Sequence, residues 1–236
     1  MLQKILIFGF PHSGTTILKS ILGHIPDIYE IIDETDGIKI TDNINQKYAK
    51  YNYILAKFPF TKEKFITDEY KDYIRIFIMR NPVWVYSSLN KRFGAKSNGI
   101  KWNCPTAVIT EYEKTLRYFD NLKENSTENI YTIRYEDMFE NNFKNLKKIL
   151  DDIGLIYNDD IFDNSKYTNL AWTGQMDVPN KEPDNKEHIQ YRTYQINRPF
   201  KNMNDINKID LDKYQINKIK NSQIIKKIYP NIHQLI

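Results

Sequence analysis

The sequence predicts an α/β fold, a three-layer sandwich with a central parallel β-sheet. Short apolar runs typical of buried strands alternate with segments whose apolar residues recur at helical spacing. This alternation favours a parallel sheet covered by helices on both faces. The first apolar run also leads directly into a glycine-containing loop and then into a helical pattern. Because ligands of parallel sheets bind beyond the carboxyl ends of the strands, we expect a site at that loop.

The predicted strands are short and largely apolar. Residues 5–8, Ile-Leu-Ile-Phe, form a continuous apolar run, as expected of a strand buried on both faces of a parallel sheet. The five predicted strands are residues 4–8, 28–32, 53–56, 74–79 and 130–133. We expect all five to end near one edge of the sheet.

The predicted helices are marked by apolar periodicity and by residues that suit helix ends. Asn81 suits an N-cap with Pro82 at the first helical position. Gly23 and Gly154 suit the ends of two other helices. The helical patterns lie in residues 17–25, 82–91, 106–122, 143–153 and 211–229.

Length and composition indicate one globular domain. The chain has 236 residues, which suits one large α/β domain or two small ones, and it does not divide cleanly. Hydrophobic residues make up 41% of the chain, which is enough for a substantial core. We predict a single domain, 1–236, with a cofactor-binding core in 4–157 and a loop-rich region, 158–236, that closes over the sheet edge.

Charge and cysteine content exclude several classes of function. The net charge of +4, from 34 basic and 30 acidic residues, suits an anionic ligand but is too weak to argue for nucleic acid. Cys104 is the only cysteine, so neither a disulfide framework nor a cysteine-based metal site is expected. No segment approaches the roughly 20 apolar residues of a membrane span. Residues 1–10 are apolar but too short for a signal peptide. We therefore expect a cytoplasmic protein that does not bind membranes.

Residues 9–16 read Gly-Phe-Pro-His-Ser-Gly-Thr-Thr, a phosphate-loop pattern in which Thr15 stands where a Walker loop has Lys. The Walker Lys grips the outer phosphates, and the hydroxyl after it holds Mg²⁺. Here backbone N–H groups and a helix N-terminus remain to hold an anion. The loop thus predicts binding of a nucleotide phosphate rather than a metal-bound triphosphate. The simpler alternative is a strand–helix connection that uses Gly14 for its turn and Thr15 as a helix cap.

A second phosphate-binding pattern follows the fourth predicted strand. That strand ends in Arg80, and Ser88 lies about two turns into the next helix. Arg binds phosphate oxygens bidentately, so the two side chains can converge on one phosphate. Taken alone, they read more readily as a solvated Arg and a surface Ser, and only the phosphate loop beside them favours the phosphate site. Kinases and GTPases usually end a neighbouring strand in an Asp that holds Mg²⁺. Two phosphate sites without such a ligand indicate a nucleotide that carries phosphates at two separate positions, bound without a metal.

These residues resemble the sulfotransferase superfamily, which uses 3′-phosphoadenosine 5′-phosphosulfate (PAPS). Its signature Pro-Lys/Arg-x-Gly-Thr-Thr/Ser corresponds to residues 11–16. Its Arg-Asn/Asp-Pro, with a Ser eight residues after the Arg, corresponds to Arg80 and Ser88. Its strand ending in Tyr-Glu-Asp corresponds to residues 135–137. The order and spacing agree over about residues 4–157, and the resemblance implies a P-loop NTPase-like fold.

The resemblance implies roles for these positions. The residues that would cradle the 5′-phosphosulfate are Pro11, His12, Ser13, Gly14, Thr15 and Thr16. Arg80 and Ser88 would bind the 3′-phosphate, and Tyr135 would lie near the adenine. Arg192 and Arg198 are candidates to complete the 3′-phosphate site, and no motif distinguishes them. The plainer interpretation of residues 135–137 is a strand end with helix-capping carboxylates.

Three further residues are candidates for the chemistry. Lys57 resembles the strand-end Lys of the family, which neutralises charge on the sulfuryl group, although it also reads as a surface Lys. Glu34 resembles the Glu just after the second strand that carbohydrate sulfotransferases can use as general base to take the proton of the acceptor hydroxyl, although it also reads as part of a solvated acidic turn. Asp33 and Asp36 are the alternatives, and clustered carboxylates raise one another's pKa. His12 departs from the family pattern, which has Lys or Arg there.

The sequence therefore predicts a PAPS-dependent sulfotransferase that acts on a hydroxyl acceptor, either a glycan or a small molecule, by in-line transfer. The carboxylate base and the Lys-x-Pro at Lys57 resemble carbohydrate-type rather than phenol-type members of the family, and this resemblance favours a sugar acceptor over a phenol. The variable segments 93–102 and 164–200 are expected to read the acceptor. Two alternatives stay open: a small-molecule P-loop kinase, and a nucleotide-binding protein that catalyses poorly or not at all.

Overall fold

The sheet has five parallel strands, and all five predicted strands are confirmed. The computed structural model describes residues 2–34, 50–93, 105–125, 128–163, 165 and 186–236. The strands are β1 Gln3–Gly9, β2 Ile28–Glu34, β3 Tyr53–Phe58, β4 Tyr73–Met79 and β5 Ile130–Arg134. Their order is β2-β3-β1-β4-β5, and all neighbouring pairs are parallel.

Eight α-helices lie in the described ranges. They are α1 Thr15–Leu22, α2 Pro82–Phe93, α3 Pro105–Glu124, α4 Tyr135–Met138, α5 Lys144–Ile153, α6 Lys186–Ile196, α7 Lys213–Asn221 and α8 Gln223–Ile228. The predicted N-cap is confirmed, because the Asn81 side chain accepts a hydrogen bond from the Val83 N–H at 3.0 Å. Gly154 ends α5 in the left-handed region, with φ 81°. None of the helices in these ranges combines the length and apolar character needed to cross a bilayer.

The prediction of a single closing helix over 211–229 is wrong, because the helix is interrupted at Ser222. There the backbone is extended, with φ −77° and ψ 117°. The Ser222 hydroxyl accepts a hydrogen bond from the Ile225 N–H at 3.4 Å and so begins a second helix, α8. A serine that competes for backbone hydrogen bonds can end one helix and cap the next without disturbing the apolar pattern. The division of the chain near residue 157 stays a prediction.

Alternate residues of each central strand face opposite sides of the sheet, and helices cover both sides. Leu6 and Phe8 pack in an apolar cluster with residues of α2, α3, α7 and α8. Ile5 and Ile7 pack in a second cluster with residues of α1, α4 and α5. The central strands are therefore buried on both faces, and the architecture is the predicted three-layer α/β sandwich.

The strand order positions the site. β1 is central and is hydrogen-bonded to β3 on one side and β4 on the other. In this register Ile7 lies beside Lys57 of β3, and Gly9 lies beside Ile78 of β4. The loop after β1 therefore has the end of β3, with Lys57, on one side and the end of β4, followed by Arg80, on the other.

Candidate active site

The loop between β1 and α1 is shaped by Gly14. This residue has φ +98°, a conformation that L side chains rarely adopt, and a Cβ there would lie 2.4 Å from Cδ2 of Tyr135. The loop therefore packs directly on the Tyr135 ring. Gly14 occupies the N-cap position of α1, with no side-chain cap. The alternative that assigned the cap to Thr15 is wrong, since Thr15 is the first helical residue.

Two loop side chains have unusual environments. His12 has φ 66°, in the left-handed region, and its Nδ1 lies 2.6 Å from Ser88 Oγ. The Ser13 hydroxyl is fully buried and forms no hydrogen bond with the described residues. Buried polar atoms normally have a partner. Ser13 Oγ is therefore an orphaned hydrogen-bonding group inside the loop, as expected where a ligand oxygen binds.

Lys57 lies against the first turn of α1. Its Nζ donates to Thr16 Oγ1 at 2.8 Å and forms an ion pair with Glu34 Oε1, also at 2.8 Å. The residue is only 2% exposed, so the interpretation of Lys57 as a surface Lys is wrong. The predicted site residues Thr16, Lys57 and Glu34 thus meet on the β3 side of the loop. Their roles in chemistry stay predictions.

Arg80 and Ser88 lie on the β4 side of the loop, and both contact His12. That the two side chains bind one phosphate stays a prediction. Ser88 touches the imidazole, while Arg80 Nη1 donates to the His12 carbonyl oxygen at 3.4 Å. The Arg80 guanidinium also lies 4.4 Å from the centre of the Tyr135 ring, within cation–π range. His12 is therefore the residue through which the phosphate loop and the Arg80 pattern touch.

A second guanidinium lies near Arg80. Burial lowers the pKa of Arg80, and the positive charge of Arg198 acts in the same direction. Arg198 is held by Tyr194, whose hydroxyl oxygen accepts from Nη2 at 3.3 Å and whose ring centre is 5.0 Å from the guanidinium. An Arg stays charged despite such a shift. Two nearby cations that repel one another provide an environment that favours a bound anion.

Tyr135 and Glu136 connect the loop to a later segment, residues 198–204, which we call the strap. The Tyr135 hydroxyl accepts from the Met203 N–H at 3.1 Å and donates to the Lys201 carbonyl oxygen at 3.4 Å. Burial raises the pKa of the Tyr135 phenol. Glu136 Oε1 accepts from the Asn81 N–H at 3.1 Å, which ties it to the start of α2.

Asn204, in the strap, is a site residue that sequence reasoning missed. Its Oδ1 accepts from Arg80 Nε at 2.9 Å and from Nη2 at 2.6 Å. No motif or spacing marks this residue, since asparagine is abundant throughout the polar C-terminal region. Only the fold brings residue 204 to the end of β4.

Several predicted residues lie outside the described part of the chain. These are Asp36 and the side chains of Asp33 and Arg192, together with most of the two segments expected to read the acceptor. The choice of Glu34 over its acidic neighbours therefore stays a prediction. Among the residues that the structure does describe, no group of three or more His, Cys, Asp or Glu side chains could hold a metal ion.

Comparison with known proteins gives a family and a fold. Residues 2–202 match the family model described as sulfotransferase domain. No curated protein sequence matches significantly. The crystal structure of mouse sulfotransferase SULT7A1 complexed with PAP is similar over 97% of this chain and 88% of that chain, with a TM-score of 0.59 and 19% identity. At this identity the likeness concerns the fold, and it agrees with the three-layer architecture.

Two further solved structures are more distant. The sulfotransferase domain from the curacin biosynthetic pathway has a TM-score of 0.49 and 12% identity, covering 99% of this chain and 98% of that chain. The sulfotransferase domain from the Synechococcus PCC 7002 olefin synthase has a TM-score of 0.46 and 14% identity, covering 83% and 93%.

Proposed function

The chain belongs to the sulfotransferase domain family, a family of enzymes, and on that premise we propose that it transfers a sulfuryl group from PAPS to a hydroxyl acceptor. The observation that carries the proposal is the meeting of the phosphate loop and Arg80 at His12, with Arg198 nearby. This arrangement suits a nucleotide with two separate phosphate groups. PAPS supplies the sulfuryl group and leaves as adenosine 3′,5′-bisphosphate.

The residues present fit such a nucleotide. The orphaned Ser13 hydroxyl and the N–H groups at the start of α1 are donors for the 5′-phosphosulfate, together with the hydroxyls of Thr15 and Thr16. In this proposal Arg80, Ser88 and Arg198 hold the 3′-phosphate. The other loop residues assigned to this phosphosulfate site are Pro11, His12 and Gly14. Tyr135 near the adenine stays a prediction, since the contacts described above are with Arg80, the loop and the strap.

The chemical roles follow from the charges around the loop. Glu34 takes the proton of the acceptor hydroxyl as its oxygen bonds to sulfur. The Lys57 ammonium, 2.8 Å from Glu34 Oε1, orients this carboxylate and stabilises negative charge on the sulfuryl oxygens. Protonated His12 donates to the bridging oxygen as the bond from sulfur to that oxygen breaks. We further propose a sugar or glycan acceptor. The support is that Glu34 at the end of β2, as a carboxylate base, and Pro59 two residues after Lys57 resemble the pattern of carbohydrate sulfotransferases.

The direct test is formation of adenosine 3′,5′-bisphosphate from PAPS in the presence of EDTA. The acceptor panel consists of monosaccharides, oligosaccharides and simple phenols, with water as the background acceptor. We expect turnover without a divalent ion and higher rates with sugars than with phenols. Tight bisphosphate binding without any transfer would instead favour a catalytically silent protein. Mg²⁺-dependent ATP binding would favour a kinase.

His12 gives a pH-dependent prediction. Turnover is expected to fall at alkaline pH as the imidazole loses its proton, because a neutral ring is a weaker donor to the leaving oxygen. In His12→Lys the rate should stay level over the same range, since Lys remains charged there. The measurement is bisphosphate formation between about pH 6 and 9. His233→Lys, at an exposed position, is the matched control. Identical profiles for wild type and His12→Lys would contradict the assignment of His12.

A further inference from the structure

The Arg80 side chain is fixed on several sides by groups from distant parts of the chain. Asn204 Oδ1 accepts from both Nε and Nη2, the His12 carbonyl accepts from Nη1, and the centre of the Tyr135 ring lies 4.4 Å from the guanidinium carbon. A guanidinium carries five N–H donors. These contacts use the Nε edge of the guanidinium and one donor of Nη1. One N–H on each terminal nitrogen therefore has no acceptor among the described residues.

The orientation of the Asn204 amide is set by Glu136. Asn204 Nδ2 donates to Glu136 Oε1 at 2.9 Å, and the same carboxyl oxygen accepts from the Asn81 N–H at 3.1 Å. An acceptor facing one end of the amide requires the nitrogen there. The amide oxygen must then point the other way, toward Arg80. The hydrogen-bond network thus determines which end of Asn204 meets the guanidinium.

Glu136 is itself held in place. Its Oε2 atom is shielded from solvent and forms no hydrogen bond within the described residues. Burial raises the pKa of this carboxyl group, while the hydrogen bonds from Asn204 and Asn81 act in the opposite direction. The Glu136 side chain accepts from both Asn81 and Asn204 at the same atom, Oε1, and so has one contact surface. That surface joins the start of α2 to the strap.

We propose that Asn204 is a positioning residue for the phosphate site at Arg80, with Glu136 setting the direction of its amide. The inference rests on the proposed function, which assigns Arg80 to the 3′-phosphate. Asn204 occupies the Nε edge of the guanidinium, so a phosphate is directed to the terminal nitrogens, on the side of His12. The Tyr135 and Glu136 pair then acts on the site through the strap: Tyr135 fixes the backbone at residues 201 and 203, and Glu136 fixes residue 204.

Nucleotide titrations test this role. Adenosine 3′,5′-bisphosphate and 5′-AMP are titrated into wild type, Asn204→Ala, Glu136→Ala and Glu136→Gln. Asn204→Ala is expected to weaken bisphosphate binding about 3- to 10-fold, the range of one net hydrogen bond, and to leave AMP binding unchanged. Glu136→Ala should behave similarly. Glu136→Gln should bind like wild type, because its carbonyl oxygen can still accept from Asn204 and Asn81. Asn207→Ala, at an exposed strap-proximal position, is the matched control.

A ligand-free measurement separates positioning from binding. The Arg80 Nε–H signal in the NMR spectrum of ¹⁵N-arginine-labelled protein is identified by its loss in Arg80→Lys. We expect its hydrogen exchange to be faster in Asn204→Ala than in wild type, and unchanged in Asn207→Ala. A preference for the bisphosphate in Asn204→Ala as large as that of wild type, or an unchanged Nε–H exchange rate, would overturn the inference alone. Equal binding of both nucleotides by wild type would overturn the proposed function, and with it the role of Asn204 in that site.

Discussion

Lys57→Met is expected to lower turnover of PAPS by about 10²- to 10³-fold, the usual effect of removing one donor that stabilises charge in the transition state. Lys57 is 2% exposed, and its ammonium group bonds both Thr16 of the loop and Glu34. Its loss removes a positive charge from the sulfuryl-transfer region and also releases the candidate base. Met preserves the length of the side chain, so the change is mainly one of charge.

The measurement is the rate of bisphosphate formation from PAPS, with the best acceptor of the panel or with water. Lys71→Met, which removes an exposed Lys before β4, is the control. Affinity for adenosine 3′,5′-bisphosphate should change less than about threefold, because this product lacks the group that Lys57 is proposed to neutralise. Turnover of Lys57→Met within about threefold of wild type would remove Lys57 from the mechanism.

Arg80→Met is expected to weaken binding of adenosine 3′,5′-bisphosphate by about 10- to 100-fold, the range of a charge-assisted hydrogen bond. Binding of 5′-AMP should change less than about threefold, since AMP lacks the 3′-phosphate. Arg80→Lys should be intermediate, because an ammonium keeps the charge but neither forks to phosphate nor stacks on Tyr135 in the same way.

Calorimetric titration of both nucleotides measures this selectivity. Arg117→Met, on the exposed surface of α3, controls for the loss of one positive charge. A second control is the substitution of Arg75. Its guanidinium donates to the carbonyl oxygens of Phe65 and Glu128 and so stabilises segments at the opposite end of β4 from the phosphate site. An equal loss of affinity for both nucleotides in Arg80→Met would indicate general damage to the loop rather than loss of a 3′-phosphate ligand.

The strands and their ends could be predicted because local pattern determines them. The run Ile-Leu-Ile-Phe at residues 5–8 is apolar on both faces, and the strand it predicts is buried on both. Arg80 could be assigned to the site edge because it directly follows β4, whereas Arg75 lies near the start of the same strand. These conclusions needed only periodicity and the rule that ligands bind at the carboxyl ends of parallel strands.

Other features depend on contacts between distant residues, which local pattern does not reveal. The pairing of Glu34 with Lys57 requires β2 and β3 to be neighbours. Asn204 reaches Arg80 across 124 positions of sequence, and one asparagine in a polar segment looks like any other. The helix interruption at Ser222 could not be predicted because the apolar pattern continues through it, although the Ser222 side chain caps a new helix.

The proposed function requires that this protein binds a doubly phosphorylated adenosine at two anchor points, without a divalent ion. The decisive experiment is titration of wild-type protein with adenosine 3′,5′-bisphosphate and with 5′-AMP, both in EDTA. We expect the bisphosphate to bind at least about tenfold more tightly, because only it engages both the loop and Arg80. Equal affinity for the two nucleotides, or binding that appears only when Mg²⁺ is added, would contradict it.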